Sequence, residues 1–316
     1  MFGVYRSLTE IGPDQRPTGV AIGNFDGVHA GHRALFRRVV DQSKAKGWIP
    51  SVLTFDPHPT RVVAPERAPK LLNTTEERWP MMRDERIEQV VVLPFDAAFA
   101  SLTPEDFVRK ILVEGLGVRG VFVGENFRFG SRQAGDIALL KRLGSEFGFC
   151  VEIVPCQSVR GRIVSSTEVR HLLESGNVSL ACRLLERPYS VEGEIVSGHG
   201  IGSKQTVPTL NLRTAAEVLP ADGVYVTRTT DLGDLRQWQS ITNIGLRPTF
   251  DGQQRTIETF LLSPFDGRTP ERIRLEFLWR VRDERKFETP EALKAQILKD
   301  VSTAARYFRR TAAVKA

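Results

Sequence analysis

Apolar residues follow two rhythms along the chain, and the change between them near residue 188 divides it. From residue 18 to about 155, short apolar runs alternate with longer segments whose apolar positions recur every three or four residues. The short runs predict strands at Thr18–Ile22, Ser51–Phe55, Gln89–Leu93, Gly120–Val123 and Val151–Val154, with helices between several of them. Thr103-Pro104-Glu105-Asp106 has the make-up of a helix start: a capping hydroxyl, Pro at the first helical position, and an acid three residues after the cap. Apolar strands separated by amphipathic helices imply a doubly wound parallel sheet covered on both faces. Asn177–Arg187 predicts a short helix with Val178, Cys182 and Leu185 as its stripe, closed by Pro188.

Beyond Pro188 the period falls to two, over Ser190–Val196, Gly223–Thr229, Gln239–Ile244, Thr256–Leu262 and Arg272–Leu278. Asp222-Gly223, Asp251-Gly252 and Asp266-Gly267 punctuate these segments as turns, so an antiparallel barrel is expected. A last helix is expected after Thr289-Pro290, with Leu293, Ile297, Val301 and Tyr307 on or near one face. The junction is expected at residues 184–188, giving domains 1–186 and 187–316, each long enough to bury a core.

Composition narrows the class. Hydrophobic residues at 41% and charged residues at 26% are those of an ordinary globular protein. Cys150, Cys156 and Cys182 are an odd set without Cys-x-x-Cys spacing, which argues against a disulfide scaffold or thiolate zinc site and suits a reducing compartment. No leader pattern and no membrane-length apolar run is seen, so a soluble cytoplasmic protein without a membrane partner is expected. The net charge of +6 is spread along the chain, which argues against nucleic acid and suits substrates with several phosphates.

Candidate chemistry gathers in loops. Gly23–His32 reads Gly-Asn-Phe-Asp-Gly-Val-His-Ala-Gly-His, between the predicted strand Thr18–Ile22 and a helical segment carrying Leu35, Phe36, Val39 and Val40. Gly23, Gly27 and Gly31 permit a sharp turn, and the N–H groups opening the next helix favour an anion. His29 and His32, about one turn apart, could donate hydrogen bonds to oxygens gaining charge during group transfer; by spacing alone, a plain turn or a metal half-site stays open. Asp56-Pro57-His58-Pro59 and Gly124–Gly130 also follow predicted strands, at the edge where parallel sheets bind ligands. Ser165 or Ser166 can cap a helix, with Glu168 completing a capping box if Ser165 is the cap, and Arg170 adds a cation. In the second half Thr209 and Asn211, two apart in an extended segment after a Gly-rich stretch, share a face and offer hard oxygens suited to Mg²⁺. No Gly-Lys-Ser/Thr stands at P-loop spacing.

Gly-x-Phe-Asp-Gly-x-His-x-Gly-His resembles the nucleotidylyltransferase signature in the form found in bacterial bifunctional riboflavin kinase/FAD synthetases. Thr54–Pro59, Val123–Gly130 and Val164–Arg170 resemble further motifs of that family. Pro208–Leu212, Asp222–Tyr225, Asn243–Phe250, Ile257–Leu262 and Arg282–Phe287 resemble its riboflavin kinase module, a six-stranded barrel. The resemblance implies a Rossmann-like N-terminal domain that adenylylates FMN with ATP to give FAD and pyrophosphate, and a C-terminal domain that phosphorylates riboflavin with MgATP. It implies that His29 and His32 act on the α-phosphate, and that Gly23, Phe25, Asp26, Gly27, Asp56 and His58 bind substrate. Asn126, Phe127 and Arg128 would receive the flavin, and Ser165, Ser166, Thr167 and Arg170 the ATP phosphates. In the barrel, Thr209 and Asn211 would hold Mg²⁺, Glu258 would be the general base, and Gly198, Gly202, Lys204, Asn243, Arg247 and Arg282 would bind substrate. One departure is Gly202-Ser203-Lys204-Gln205-Thr206-Val207, where the family has Gly-Arg-x-x-Gly-Phe, because Lys lacks the bidentate fork of Arg. The expected partners are ATP, riboflavin and FMN, with the chain a monomer or weak homo-oligomer. Rival readings are a nucleotidylyltransferase of other specificity with a non-catalytic flavin-binding module, and a flavin- or nucleic-acid-binding protein without catalysis.

Overall fold

A computed structural model of the chain describes residues 2–196, 209–249, 252–263 and 268–315, with the side chains of 247–249, 252–254, 314 and 315 excepted. It divides into two compact units, Met1–Ser166 and Thr167–Ala316.

The first unit is built on six parallel strands, β1 (Gly3–Tyr5), β2 (Thr18–Ile22), β3 (Ile49–Asp56), β4 (Gln89–Pro94), β5 (Val118–Gly124) and β6 (Cys150–Val154). Their order is β1-β4-β3-β2-β5-β6. The five predicted strands all form, each with ends within two residues of those expected. β1 was not expected; it is a three-residue edge strand paired in parallel with β4. Between and after the strands run α1 (Ala30–Lys46), α2 (Pro59–Val63), α3 (Thr75–Asp84), α4 (Ala97–Ala100), α5 (Pro104–Asp106) and α6 (Ile137–Phe147). Thr103 caps α5 as expected, its side chain accepting the Asp106 N–H at 3.1 Å, but the helix then continues as a π-helical stretch over Phe107–Gly115. A two-stranded ribbon, β7 (Ser158–Val159) with β8 (Arg162–Ile163), follows.

Alternation along buried strands feeds two cores. Val20 and Ile22 of β2 pack with Leu53, Leu112 and Val121 on one face, while Ala21 packs with Phe36, Val39 and Val52 on the other. The winding runs from β2 through β3 to β4 in one direction and from β5 to β6 in the other. The carboxyl ends of β2 and β5 therefore flank the topological switch point, where such sheets bind ligands.

In the second unit α7 (Ser166–Glu174) and α8 (Val178–Leu185) precede β9 (Tyr189–Val196), β10 (Thr209–Arg213), β11 (Gly223–Asp231), β12 (Gln237–Thr249), β13 (Gly252–Leu261), β14 (Arg272–Asp283) and α9 (Pro290–Lys315). The six strands close an antiparallel barrel in the order β10-β13-β12-β11-β14-β9. Both short helices sit against this barrel: Ser179 Oγ donates to Leu278 O at 3.3 Å, and Ala221 N to Leu173 O at 2.9 Å. The division into compact units accordingly falls at Ser166/Thr167, ahead of the junction expected beside Pro188.

Period two sorts the barrel into an inside and an outside. Val224, Val226 and Ile241 lie under Ala304 and Phe308 of α9, so they face outward. Thr227, Thr229, Ser240, Thr242 and Thr259, of opposite parity, are fully buried inside. Their hydroxyls satisfy one another, Thr242 bonding to Thr227 at 2.7 Å and to Thr259 at 2.9 Å. The near-isosteric Thr242→Val should therefore cost about 1–3 kcal/mol of barrel stability by stranding buried hydroxyls, read from the urea midpoint of the full chain; an unchanged midpoint would contradict this.

Candidate functional site

The loop after β2 is built to reverse the chain tightly. Gly23 N still donates to Leu53 O at 3.1 Å, extending the ladder with β3. Phe25 (φ 52°), Gly27 (φ 81°) and Val28 (φ 38°) then all take left-handed conformations. For Phe and Val this is a cost of order 1–3 kcal/mol each, of the kind concentrated at functional sites. His29 ends the loop as the cap of α1, its Nδ1 accepting the His32 N–H at 3.3 Å. In the neutral ring that places the hydrogen on Nε2. The imidazoles of His29 and His32 stack, with centroids 3.6 Å apart and 17° between planes, and Phe25 meets His32 edge-on at 5.2 Å. Gly31 makes room for this pair, since a Cβ there would lie 3.2 Å from the His29 ring. The product is two parallel imidazoles at the positive end of a 17-residue helix, an arrangement suited to an anion.

Three distant segments hold the loop. Asp26, only 3% exposed, accepts the N–H groups of Leu72 at 2.9 Å and Asn73 at 3.3 Å through its carboxylate, and the Ser166 hydroxyl at 2.9 Å through its carbonyl. Arg78, 4% exposed, donates to Asn24 O and to Thr75 Oγ1. Burial lowers the Arg78 pKa, opposed by the charges of Asp26, Asp56 and Glu76. The Asn24 side-chain amide lies 3.0 Å from Nε2 of His58, whose Nδ1 accepts the Thr60 N–H and caps α2. Asp26 and His58, expected from the sequence to bind substrate, are thus both engaged in shaping the loop, and Asp56 ends β3 beside them. Arg78 was not singled out in the sequence, because Pro80 two residues on obscures the helical pattern of α3. The box Thr74-Thr75-Glu76-Glu77, with reciprocal bonds at 2.8 and 3.2 Å, is the signal that locates it.

After β5, Asn126, Phe127 and Arg128 line a cavity of about 290 Å³ together with Glu125 and Asp136. Phe127 stacks on Phe129 at 5.7 Å and 15°, and the contacts continue through Phe107, Phe99, Phe95 and Phe55. Phe107 and Phe129 belong to the buried core and Phe55 lies within β3, so the run backs the loop from inside, with the half-buried Phe127 at its outer end. α7 begins at Ser166, which leaves Ser165 at the flanking cap position and puts Thr167 and Arg170 in its first two turns.

The barrel assembles a second constellation by register alone. Asn211 stands opposite Glu258, Glu258 opposite Asn243, Asn243 opposite Val224, and Val224 opposite Arg282. Directly opposed residues share a face, with Cβ atoms about 4.5–5.5 Å apart. Thr209, opposite Phe260 and two residues from Asn211, is on that face too. Because Val224 faces outward, the whole row lies on the outer wall. A hydroxyl and an amide oxygen beside a carboxylate form a hard-oxygen set that fits Mg²⁺. Arg282, at the end of the row, is tied to Asp300 of α9 at 2.9 Å, with Asp300 only 4% exposed and also bonded to Gln296. It anchors the helix. Gly198, Gly202 and Lys204 lie outside the described residues, as does the side chain of Arg247.

The two constellations define a class: a two-domain enzyme that works on nucleotide phosphates twice. Residues 12–168 match the family model for FAD synthetase, and residues 185–308 match that for riboflavin kinase. The chain is 34% identical, over 92% of its length and 93% of the relative's, to the bifunctional riboflavin kinase/FMN adenylyltransferase of Escherichia coli K12. It is 35% identical to the enzyme of that name from Pseudomonas fluorescens, over 95% of its length and 96% of the relative's. A crystal structure described as a macrolide-efflux protein from Streptococcus pneumoniae aligns with a TM-score of 0.85 and 27% identity, over 96% of this chain and 98% of that one. No described helix here is long and apolar enough to cross a membrane. The chain belongs to the bifunctional riboflavin kinase/FMN adenylyltransferase family.

Arg78→Met should release the Asn24 carbonyl and slow FAD formation from supplied FMN by about 10²-fold, as for a misplacement near 1 Å. FMN formation from riboflavin should stay within about twofold. Chromatography of the flavins checks both rates, and an undiminished adenylylation rate would contradict the positioning role.

Proposed function

We propose that residues 187–316 phosphorylate riboflavin with MgATP to FMN and that residues 1–186 adenylylate FMN with a second ATP, each at its own site. The observation that carries this reading is that two separate stretches of the chain, 12–168 with His29 and His32 and 185–308 with Asn211 and Glu258, are each matched by their own family model.

In the kinase half Glu258 takes the proton of the ribityl 5′-hydroxyl as that oxygen attacks the γ-phosphorus of ATP and ADP leaves. Thr209 and Asn211 would hold Mg²⁺, which when bound neutralises charge on the phosphates. Asn243, Arg247, Gly198, Gly202 and Lys204 complete the proposed substrate set. Arg282 acts through α9, which it fixes to the barrel.

In the adenylyltransferase half a phosphate oxygen of FMN attacks the α-phosphorus of ATP and pyrophosphate leaves, with no covalent enzyme intermediate. His29 and His32 donate to the α-phosphate oxygens, and the N–H groups opening α1 add fixed dipoles. Gly23, Phe25 and Gly27 shape the turn, with Asp26, Asp56 and His58 behind it. Asn126, Phe127 and Arg128 receive the flavin. Ser165, Ser166, Thr167 and Arg170 hold the outer phosphates. The dispersed charge of +6 supports small phosphorylated substrates over nucleic acid. The same reading makes the enzyme cytoplasmic, and a monomer or weak homo-oligomer.

Glu258→Ala should lower FMN formation by about 10²–10⁴-fold and leave FAD formation from supplied FMN intact. His29→Ala/His32→Ala should do the reverse, by at least about 10²-fold. Chromatographic product analysis reads both; retention of both rates in both variants would overturn the assignments.

A further inference from the structure

A groove of about 670 Å³ runs between β14 and the C-terminal half of α9, lined by Trp279, Thr303, Arg306, Tyr307, Arg310 and Thr311. Its volume falls within the roughly 300–1,000 Å³ of small-molecule pockets. α9 carries two stripes. Val301, Ala304 and Phe308 pack on the barrel, while Thr303, Arg306, Tyr307, Arg310 and Thr311, at spacings of three and four, form a second stripe along the groove.

The lining is specific in kind. The Trp279 and Tyr307 rings are parallel within 6°, with centroids 6.1 Å apart, and Trp279 is 39% exposed for so large a side chain. Arg306 and Arg310, one turn apart on the same face, are exposed. Among the described residues neither guanidinium is in an ion pair, and the groove lining holds no carboxylate. Neutralisation of the helix dipole does not account for both arginines, because that effect is confined to the last turn and α9 runs on to Lys315. Glu258, on β13, stands three strands from β14 and its Trp279 by either route round the closed ring.

We propose that this groove is a third ligand site, taking a planar aromatic ring that carries a phosphate. The ring lies against Trp279 and Tyr307, and Arg306 and Arg310 grip the phosphate. That chemistry is common to FMN, FAD and ADP, all of which the two reactions put within reach. Riboflavin, with the ring and no phosphate, is the control.

The test is equilibrium dialysis of the full chain with FMN, FAD, ADP and riboflavin in separate arms, against R306E/R310E. The wild-type chain should bind one more equivalent of at least one of the phosphates than the variant, or bind that equivalent at least tenfold more tightly. Loss in the FMN arm alone marks a flavin phosphate, and loss in the ADP arm alone an adenine nucleotide. Loss in the FAD arm alone marks the dinucleotide. Riboflavin should show no such equivalent. Both reaction rates at saturating substrate should be unchanged, which separates the groove from the active sites. If charge reversal disturbs the fold, R306Q/R310Q replaces it. Equal stoichiometry and affinity in all arms, or an equivalent lost only together with activity, overturns the proposal.

Discussion

Hydrogen-bond register between strands is the constraint on which both sites depend. In the barrel, Val224, Val226 and Ile241 must face α9 to be buried, and this decides the face of every residue opposed to them. Asn243, Glu258 and Asn211 follow from Val224 by direct opposition across β11, β12, β13 and β10. A slip of one residue would turn all three into the barrel and expose the buried hydroxyls. The parallel sheet obeys the same logic. Val20 and Ile22 serve one core and Ala21 the other, and Gly23, the residue after β2, is still bonded to β3.

Register places the loops, and buried charges hold them. Asp26, Arg78 and Asp300 are each less than 5% exposed, and each is engaged at a site rather than deep in an apolar core. An unpaired charge so buried would cost several kcal/mol. Each is offset by specific bonds: Asp26 to the amides of residues 72 and 73, Arg78 to the Asn24 carbonyl, Asp300 to Arg282 and Gln296. Such groups tolerate little displacement, which suits reactions that depend on positioning.

Residues whose role is set by local pattern were legible in the sequence. The apolar runs gave five strands of the sheet, and Thr103 and Thr289 gave the caps of α5 and α9. The spacing of Thr209 and Asn211 gave their shared face. What stayed hidden depends on partners far along the chain. β1 is three residues long and exists through β4; α3 carries Pro80 and no clean stripe. The packing of α7 and α8 on the barrel rests on bonds such as Ser179 to Leu278, which no local rhythm shows. Asp26 and Arg282 show the kind of partner that local pattern cannot reveal: one is bonded to the amides of residues 72 and 73, and the other is paired with residue 300.

Membership of a bifunctional riboflavin kinase/FMN adenylyltransferase family makes a definite demand on stoichiometry. The direct measurement is the product balance when the full chain acts on riboflavin, ATP and Mg²⁺. FMN should appear before FAD, and each FAD should be accompanied by one ADP and one pyrophosphate. FMN and ADP without FAD or pyrophosphate, or no turnover of riboflavin at all, would contradict the account.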